Sequence, residues 1–531
     1  MTLHGNNFIG HTLASTSDET STATNPATGV TLDCSFTAAS MEEVKQAAEC
    51  SQSAFAIYSK LSQLKRAEFL DAIGDEIMAL GDELVQRAMD ETALPEARIT
   101  GERGRTVNQL RAFANLLRDG SWLEATIDLA DPNRTPVPKV DIRRMLIPIG
   151  PVVVFAASNF PLAFSTAGGD TASALAGGNP VIVKAHSGHP GTSELVANAI
   201  IAASQKTNMP NGVFSMLHGS GRTVGQALVK HPRVKAVGFT GSTHAGRTLF
   251  NIANDRPEPI PVFAEMGSIN PVLVTPKALS NDGDSIATAY AGSITLGTGQ
   301  FCTNPGLIIG LDSVELDNFV TILGKAIDKV TPSTMLNPVV FSGFSKSYQK
   351  VLAQPGISVV GQSEEAADAD KLQARPTVGA VDAKTFLTNQ ELHCEVFGPF
   401  SLVVKCADAE ELLQVVTSLE GQLTASVMAE ETEFPEYATV IDTLQSRVGR
   451  ILFNGVPTGV EVCSAMQHGG PYPAATDSRF TSVGTAAIKR FVRPIAYQNW
   501  PDAALPDELQ NNNPLGIWRL VDNSWTANKI V

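Results

Sequence analysis

The chain has 531 residues, 43% of them apolar and 18% charged, too many for one core and ordinary for two or three well-packed domains. With 54 acidic against 39 basic side chains its net charge is −15, and no Lys/Arg-rich block offsets this, which disfavours a nucleic-acid or anionic-membrane role. Six scattered cysteines without a CxxC pair argue against a disulfide scaffold or a zinc site.

The opening MTLHGNNFIGHTLAST lacks a cationic stretch followed by an apolar core, so no secretory signal is expected and the reducing cytoplasm is the expected compartment. Residues 1–35 read as a polar arm with short strands. From 40 to 120 the periodicity is helical, as in MEEVKQAAECSQSAFAIYSKL and RAEFLDAIGDEIMALGDELVQRAM. Residues 126–147 predict an extended, proline-bearing hairpin. PVVVFAA, PVIVKA, GVFSML and VKAVGF then alternate with helical segments, which predicts a parallel, doubly wound α/β sheet. Such sheets bind ligands at the carboxyl ends of their strands. A second α/β segment follows to about 485, and RFVRPIAYQ predicts an edge strand that a partner subunit would cover. The expected layout is a Rossmann-type cofactor domain (1–125 and 148–277), a catalytic domain (278–485), and a small β oligomerisation arm (126–147 and 486–531) in a homodimer or homotetramer.

After VKAVGF comes TGSTHAG, a glycine turn into a helix N-terminus, where free N–H groups can hold an anion. At the end of the second strand, VKAHSGHPGT has no acid of the kind that holds an NAD ribose. Lys184 and Ser187 there, with Arg222 opening the helix after the third strand, suit a 2′-phosphate, so NADP is expected, with NAD possible. His186 and His189 have no third ligand in view, and no metal is expected. HGGP at 468–471 has the composition of an esterase oxyanion loop, but no GxSxG precedes it, so it reads as loop structure. Cys34, Cys50, Cys394, Cys406 and Cys463 read as small buried hydrophobes.

Four pieces then fall in order: SNFP (158–161), AEMGSINP (264–271), GQFC (299–302) and EVFGP (395–399). In this order and spacing they resemble the aldehyde dehydrogenase superfamily over nearly the whole chain. The resemblance implies Cys302 as the nucleophile, Asn159 as an oxyanion-hole donor, and Glu265 as the base that activates water. It implies Glu395 and Phe397 at the nicotinamide end of the cofactor, and Lys184, Gly241 and Ser242 at its ribose and pyrophosphate. The family's ELGGKSP block stands here as EMGSINP, and Ser187 replaces a usual acid. The stretch 453–484 resembles a branch holding bacterial 2-oxoglutarate semialdehyde (2,5-dioxovalerate) dehydrogenases and NADP-dependent fatty aldehyde dehydrogenases. TDSRFTSVG and TGERGRTVNQLR point to the former, giving 2-oxoglutarate. The alternatives are a long-chain aldehyde, a coenzyme A-acylating relative, which Glu265 argues against, and a non-catalytic relative, which intact Cys302, Asn159 and Glu265 argue against. A substrate carboxylate wants a tunnel arginine, and the candidates are Arg103, Arg105 and Arg111.

Overall fold

The structure is a computed structural model that describes residues 3–530. Five β-branched-rich runs form parallel strands: β1 (Val152–Phe155), β2 (Val181–Lys184), β3 (Phe214–Leu217), β4 (Ala236–Thr240) and β5 (Val262–Glu265). Their order is β5-β4-β1-β2-β3, and the hairpin Asn7–Ile9/Thr12–Ala14 extends the β3 edge antiparallel. The strand order reverses at β1, so the ends of β1, β2 and β4 open onto a crevice. Every residue of β1, β2 and β3 is buried, as a sheet covered by helices on both faces requires.

A second sheet contains β6 (Pro271–Val274), β7 (Leu307–Leu311), β8 (Ser358–Gln362), β9 (Thr377–Asp382), β10 (Phe400–Cys406), β11 (Gln422–Met428) and β12 (Val448–Phe453). Its order is β8-β9-β10-β7-β6-β11-β12, parallel except where β8 meets β9. The chain changes sheets at 266–270, ahead of the boundary expected at 277, because β6 already pairs with β7 and β11. Residues beyond β12 then return to the first sheet, where Ala475 bridges Glu265 at the end of β5.

A third sheet joins Thr126–Asp128 and Ile142–Pro148 to Val492–Gln498, Arg519–Val521 and Ser524–Thr526. The hairpin read in 126–147 is present, and Val492–Gln498 forms one edge. Ahead of it two helices pack together, Gln63–Ala79 and α1 (Glu96–Asp119). α1 buries Ile99, Leu110, Phe113 and Leu117 on one stripe and ends at Gly120, whose φ of 74° stops it. No helix among the described residues is long and apolar enough to cross a membrane.

Candidate active site

Cys302 lies between the helix Pro276–Thr295 and β7, after three left-handed residues: Gly297, Thr298 and Gly299, with φ of 54°, 59° and 65°. A methyl group at Gly299 would stand 2.2 Å from the backbone of Gly398, so glycine is required there both for its conformation and for its closeness. This approach joins GQFC to EVFGP, and Asn304 Nδ2 reinforces it by donating to Gly398 O at 3.2 Å. From the other side Asn270 Nδ2 donates to Cys302 O and to Asn304 O, both at 2.8 Å. Asn270 Oδ1 faces the hydroxyls of Ser268 and Thr424 at 2.8 and 3.1 Å. The residues by which EMGSINP departs from the family block therefore form the bracket that holds the cysteine loop.

Cys302 is half-buried, and His468 Nε2 lies 3.5 Å from its sulfur. His468 Nδ1 donates to Glu265 Oε2 at 2.6 Å, and the Ser482 hydroxyl donates to the same oxygen. Glu265 and His468 are only 4% and 3% exposed. The loop 468–482 sets the ring: His468 N–H donates to Thr481 Oγ1 at 2.8 Å, and its carbonyl accepts from Ser482 N–H at 2.8 Å. Burial alone would lower the His468 pKa, but the Glu265 carboxylate and the Cys302 sulfur outweigh it and push the ring up to about 10. Burial would likewise raise Glu265, yet His468 holds it below the ordinary carboxylate value. The imidazole is thus held in its cationic form, against the Cys302 sulfur. Glu265 Oε1 is buried and has no hydrogen-bond partner. HGGP is loop structure, as expected, and its histidine touches both Cys302 and Glu265.

Asn159 Nδ2 donates to Gln300 O at 3.0 Å, which puts its amide beside the cysteine loop with one N–H to spare. α1 locks this segment. Glu102 accepts from Leu162 N–H and Ala163 N–H at 2.8 and 2.9 Å and pairs with Arg98 at 3.2 Å. Arg98 also donates to Asn159 O and lies 4.2 Å from the Phe160 ring centroid.

Of the three candidate arginines only Arg105 faces the site. Its guanidinium lies 5.6 Å from the ring centroids of both Phe160 and Phe164, and its Nε and one terminal nitrogen are buried without partners. Burial lowers its pKa, and the nearby Glu102 and Cys302 partly restore it. Arg103 instead donates to Gly81 O at 2.7 Å, and Arg111 is an exposed partner of Asp75 at 3.1 Å. Both are corrected to structural or surface roles. Positions 98, 102, 105 and 109 repeat at helical spacing on one stripe of α1, and 103 and 111 fall outside it, which is the signal that separates them. Arg450 is a further cation that feels Cys302, but its terminal nitrogens already donate to Pro457 O and Gly459 O.

At the ends of β2 and β3 an open groove is lined by Lys184, Ser187, Arg222, His218, Phe155 and Glu19. Glu19 is an acid the sequence reading did not place there. Lys184 is buried, which pushes its pKa down to about 8. Gly241 and Ser242 stand exposed at the N-terminus of the helix Thr243–Asn254, where Ser242 Oγ accepts from Ala245 N–H. Glu395 and Phe397 line a second cavity with Phe301, Gly299 and Ser268, and burial pushes the Glu395 carboxyl up to about 7. Cations, a helix N-terminus and a glycine turn around one groove fit the phosphates of a dinucleotide. His186 and His189 are stacked rings 5.2 Å apart. Of the five other cysteines only Cys406 is buried; Cys34 and Cys50 are half-buried, and Cys394 and Cys463 are exposed.

A profile of the aldehyde dehydrogenase family matches residues 13–490. The chain is 51% identical over 523 residues to alpha-ketoglutaric semialdehyde dehydrogenase 2 of Azospirillum brasilense, covering 98% of this chain and 99% of that one. It is 48% identical to the alpha-ketoglutaric semialdehyde dehydrogenase of Acinetobacter baylyi over 93% of each chain. Among solved structures, a 1-pyrroline-5-carboxylate dehydrogenase from Thermus with bound NAD matches with a TM-score of 0.78 at 22% identity, over 93% of this chain and 92% of that one. The aldehyde dehydrogenase KauB from Pseudomonas aeruginosa matches at 0.79 and 22%, over 94% and 97%.

The contact at Cys302 predicts that His468→Gln slows alkylation of Cys302 by iodoacetamide at neutral pH roughly hundredfold. Peptide mass spectrometry reads the rate, and an unchanged rate would show that the imidazole does not activate the sulfur.

Proposed function

The chain belongs to the aldehyde dehydrogenase family, and from that premise we propose that it oxidises 2-oxoglutarate semialdehyde (2,5-dioxopentanoate) to 2-oxoglutarate with NADP. The observation that carries the substrate is the half-buried Arg105 guanidinium, unpaired at two nitrogens and close to Cys302. An unpaired buried cation is costly, and a substrate carboxylate would relieve it with charge-assisted hydrogen bonds. The names of the two relatives at 51% and 48% identity support the same substrate. The rings of Phe160, Phe164 and Phe301 leave room for the rival reading, a long aliphatic aldehyde.

In this reading the Cys302 thiolate adds to the aldehyde carbon, and the Asn159 amide with the Cys302 N–H stabilises the oxyanion. NADP, when bound, supplies the acceptor for the departing hydride. The acyl group remains on Cys302 as a thioester. Glu265 Oε1, buried and unpaired beside that sulfur, then takes a proton from water, whose oxygen attacks the thioester. The acid leaves and the sulfur returns as thiolate next to the His468 imidazolium. A free base at this position favours water over coenzyme A as the acyl acceptor.

Lys184, Ser187 and Arg222 would hold the 2′-phosphate, outnumbering Glu19 in the groove, with Gly241 and Ser242 at the pyrophosphate and Glu395 and Phe397 at the nicotinamide ribose and ring. The protein works as a homo-oligomer. Val492–Gln498 and β12 are edge strands, and β12 exposes Ile451 and Phe453.

Three outcomes follow from these assignments. Arg105→Leu lowers kcat/KM for 2-oxoglutarate semialdehyde about 10–100-fold and spares a neutral aldehyde of equal length, while Arg111→Ala changes neither; steady-state rates of NADPH formation decide it, and equal losses on both aldehydes would remove Arg105 from substrate recognition. Lys184 carries its charge below pH 8 and loses it above, so the Kd for NADP weakens as pH rises through about 8; a Kd flat across that range by fluorescence titration would take Lys184 out of the phosphate site. Phe453→Asp shifts sedimentation toward the monomer, and an unaltered sedimentation profile would place the subunit contact elsewhere.

A further inference from the structure

We propose that the Cys302–His468 pair also binds a thiophilic divalent cation, zinc above all, and that the bound cation holds the enzyme reversibly inactive. The inactivation rests on Cys302 being the nucleophile and is independent of which aldehyde is oxidised. Cys302, His468 and Glu265 each place one ligand atom within 4.8 Å of the others, and among the described residues no other group of three or more His, Cys, Asp and Glu does so. Zinc lies about 2.3 Å from a thiolate sulfur and about 2.0–2.1 Å from an imidazole nitrogen, so at a tetrahedral angle the two ligand atoms stand about 3.5 Å apart. Cys302 Sγ and His468 Nε2 are already 3.5 Å apart. A cation therefore enters without moving either side chain far.

The surroundings are those of a metal-binding histidine. Its other nitrogen, Nδ1, donates to the Glu265 carboxylate at 2.6 Å, which fixes the ring and makes Nε2 the ligating atom. Ser482 donates to the same carboxylate oxygen and orients it. Glu265 Oε1 is buried and unpartnered, so its charge stands ready to offset that of a dication. Binding displaces to solvent whatever proton lies between Sγ and Nε2, sulfur–metal and nitrogen–metal bonds form, and nothing is oxidised or reduced. Two protein ligands leave two positions for water, which keeps the complex reversible, unlike a four-ligand structural site. Hard cations such as magnesium prefer oxygen donors and are excluded by the thiolate.

The test uses the full-length, metal-free enzyme with zinc chloride and no aldehyde, so its failure is separate from any failure of the substrate assignment. Iodoacetamide labelling is followed at each cysteine by peptide mass spectrometry. Zinc is expected to slow labelling of Cys302 about tenfold or more, to leave the exposed Cys394 and Cys463 unaffected, and to be reversed by EDTA, while magnesium does nothing. In His468→Gln the ratio of rates with and without zinc falls toward unity. A second measurement needs no variant: cobalt added to the native enzyme gives a sulfur-to-cobalt charge-transfer band at one cobalt per chain, lost after Cys302 is alkylated. Zinc that leaves Cys302 labelling unchanged, equal protection in His468→Gln, or a cobalt band that survives alkylation of Cys302 would each overturn the proposal.

Discussion

The site depends on how closely two backbones approach. Gly299 lies so near Gly398 that no side chain fits between them, and its left-handed conformation excludes most other residues as well. This contact holds the cysteine loop against the segment that carries Glu395 and Phe397. Asn270 then clamps the carbonyls of Cys302 and Asn304 from the crossover between the two sheets. The sulfur is therefore positioned by main-chain geometry, and its own side chain is left free to react.

A second layer is electrostatic. His468 and Glu265 are both nearly inaccessible, and each keeps its charge because the other supplies the compensation that water cannot. The pair is assembled from distant parts of the chain, its members 203 positions apart. It exists only because the segment after β12 comes back to bridge Glu265. Burial, costly for either group alone, is what makes their joint field strong at Cys302.

These origins explain what the sequence reveals and what it hides. The alternation of β-branched runs with helices displays the first sheet directly, because buried parallel strands must be apolar throughout. GQFC and EVFGP are legible because their glycines answer a backbone demand that tolerates no substitute. Arg105 is half legible: composition offers three arginines, and only the helical phase set by Arg98 and Glu102 separates the inward one. His468 is not legible locally, since HGGP has no periodicity and its role appears only when residues 166 positions apart meet. The sheet crossover at 266–270 is hidden for a related reason: β5 and β6 have the same strand-like composition, and only pairing partners tell them apart.

Glu102 has a mechanical consequence. It grips the backbone at Leu162 and Ala163, and its neighbour Arg98 grips Asn159, so α1 and the SNFP loop move as one piece. Arg105 rides on that piece together with Asn159. If Asn159 polarises a carbonyl and Arg105 holds an anion, as proposed, the interval between them is set by a rigid joint and not by a flexible side chain. On that proposal the joint is a gauge, against which the length of an incoming molecule is measured before any bond changes.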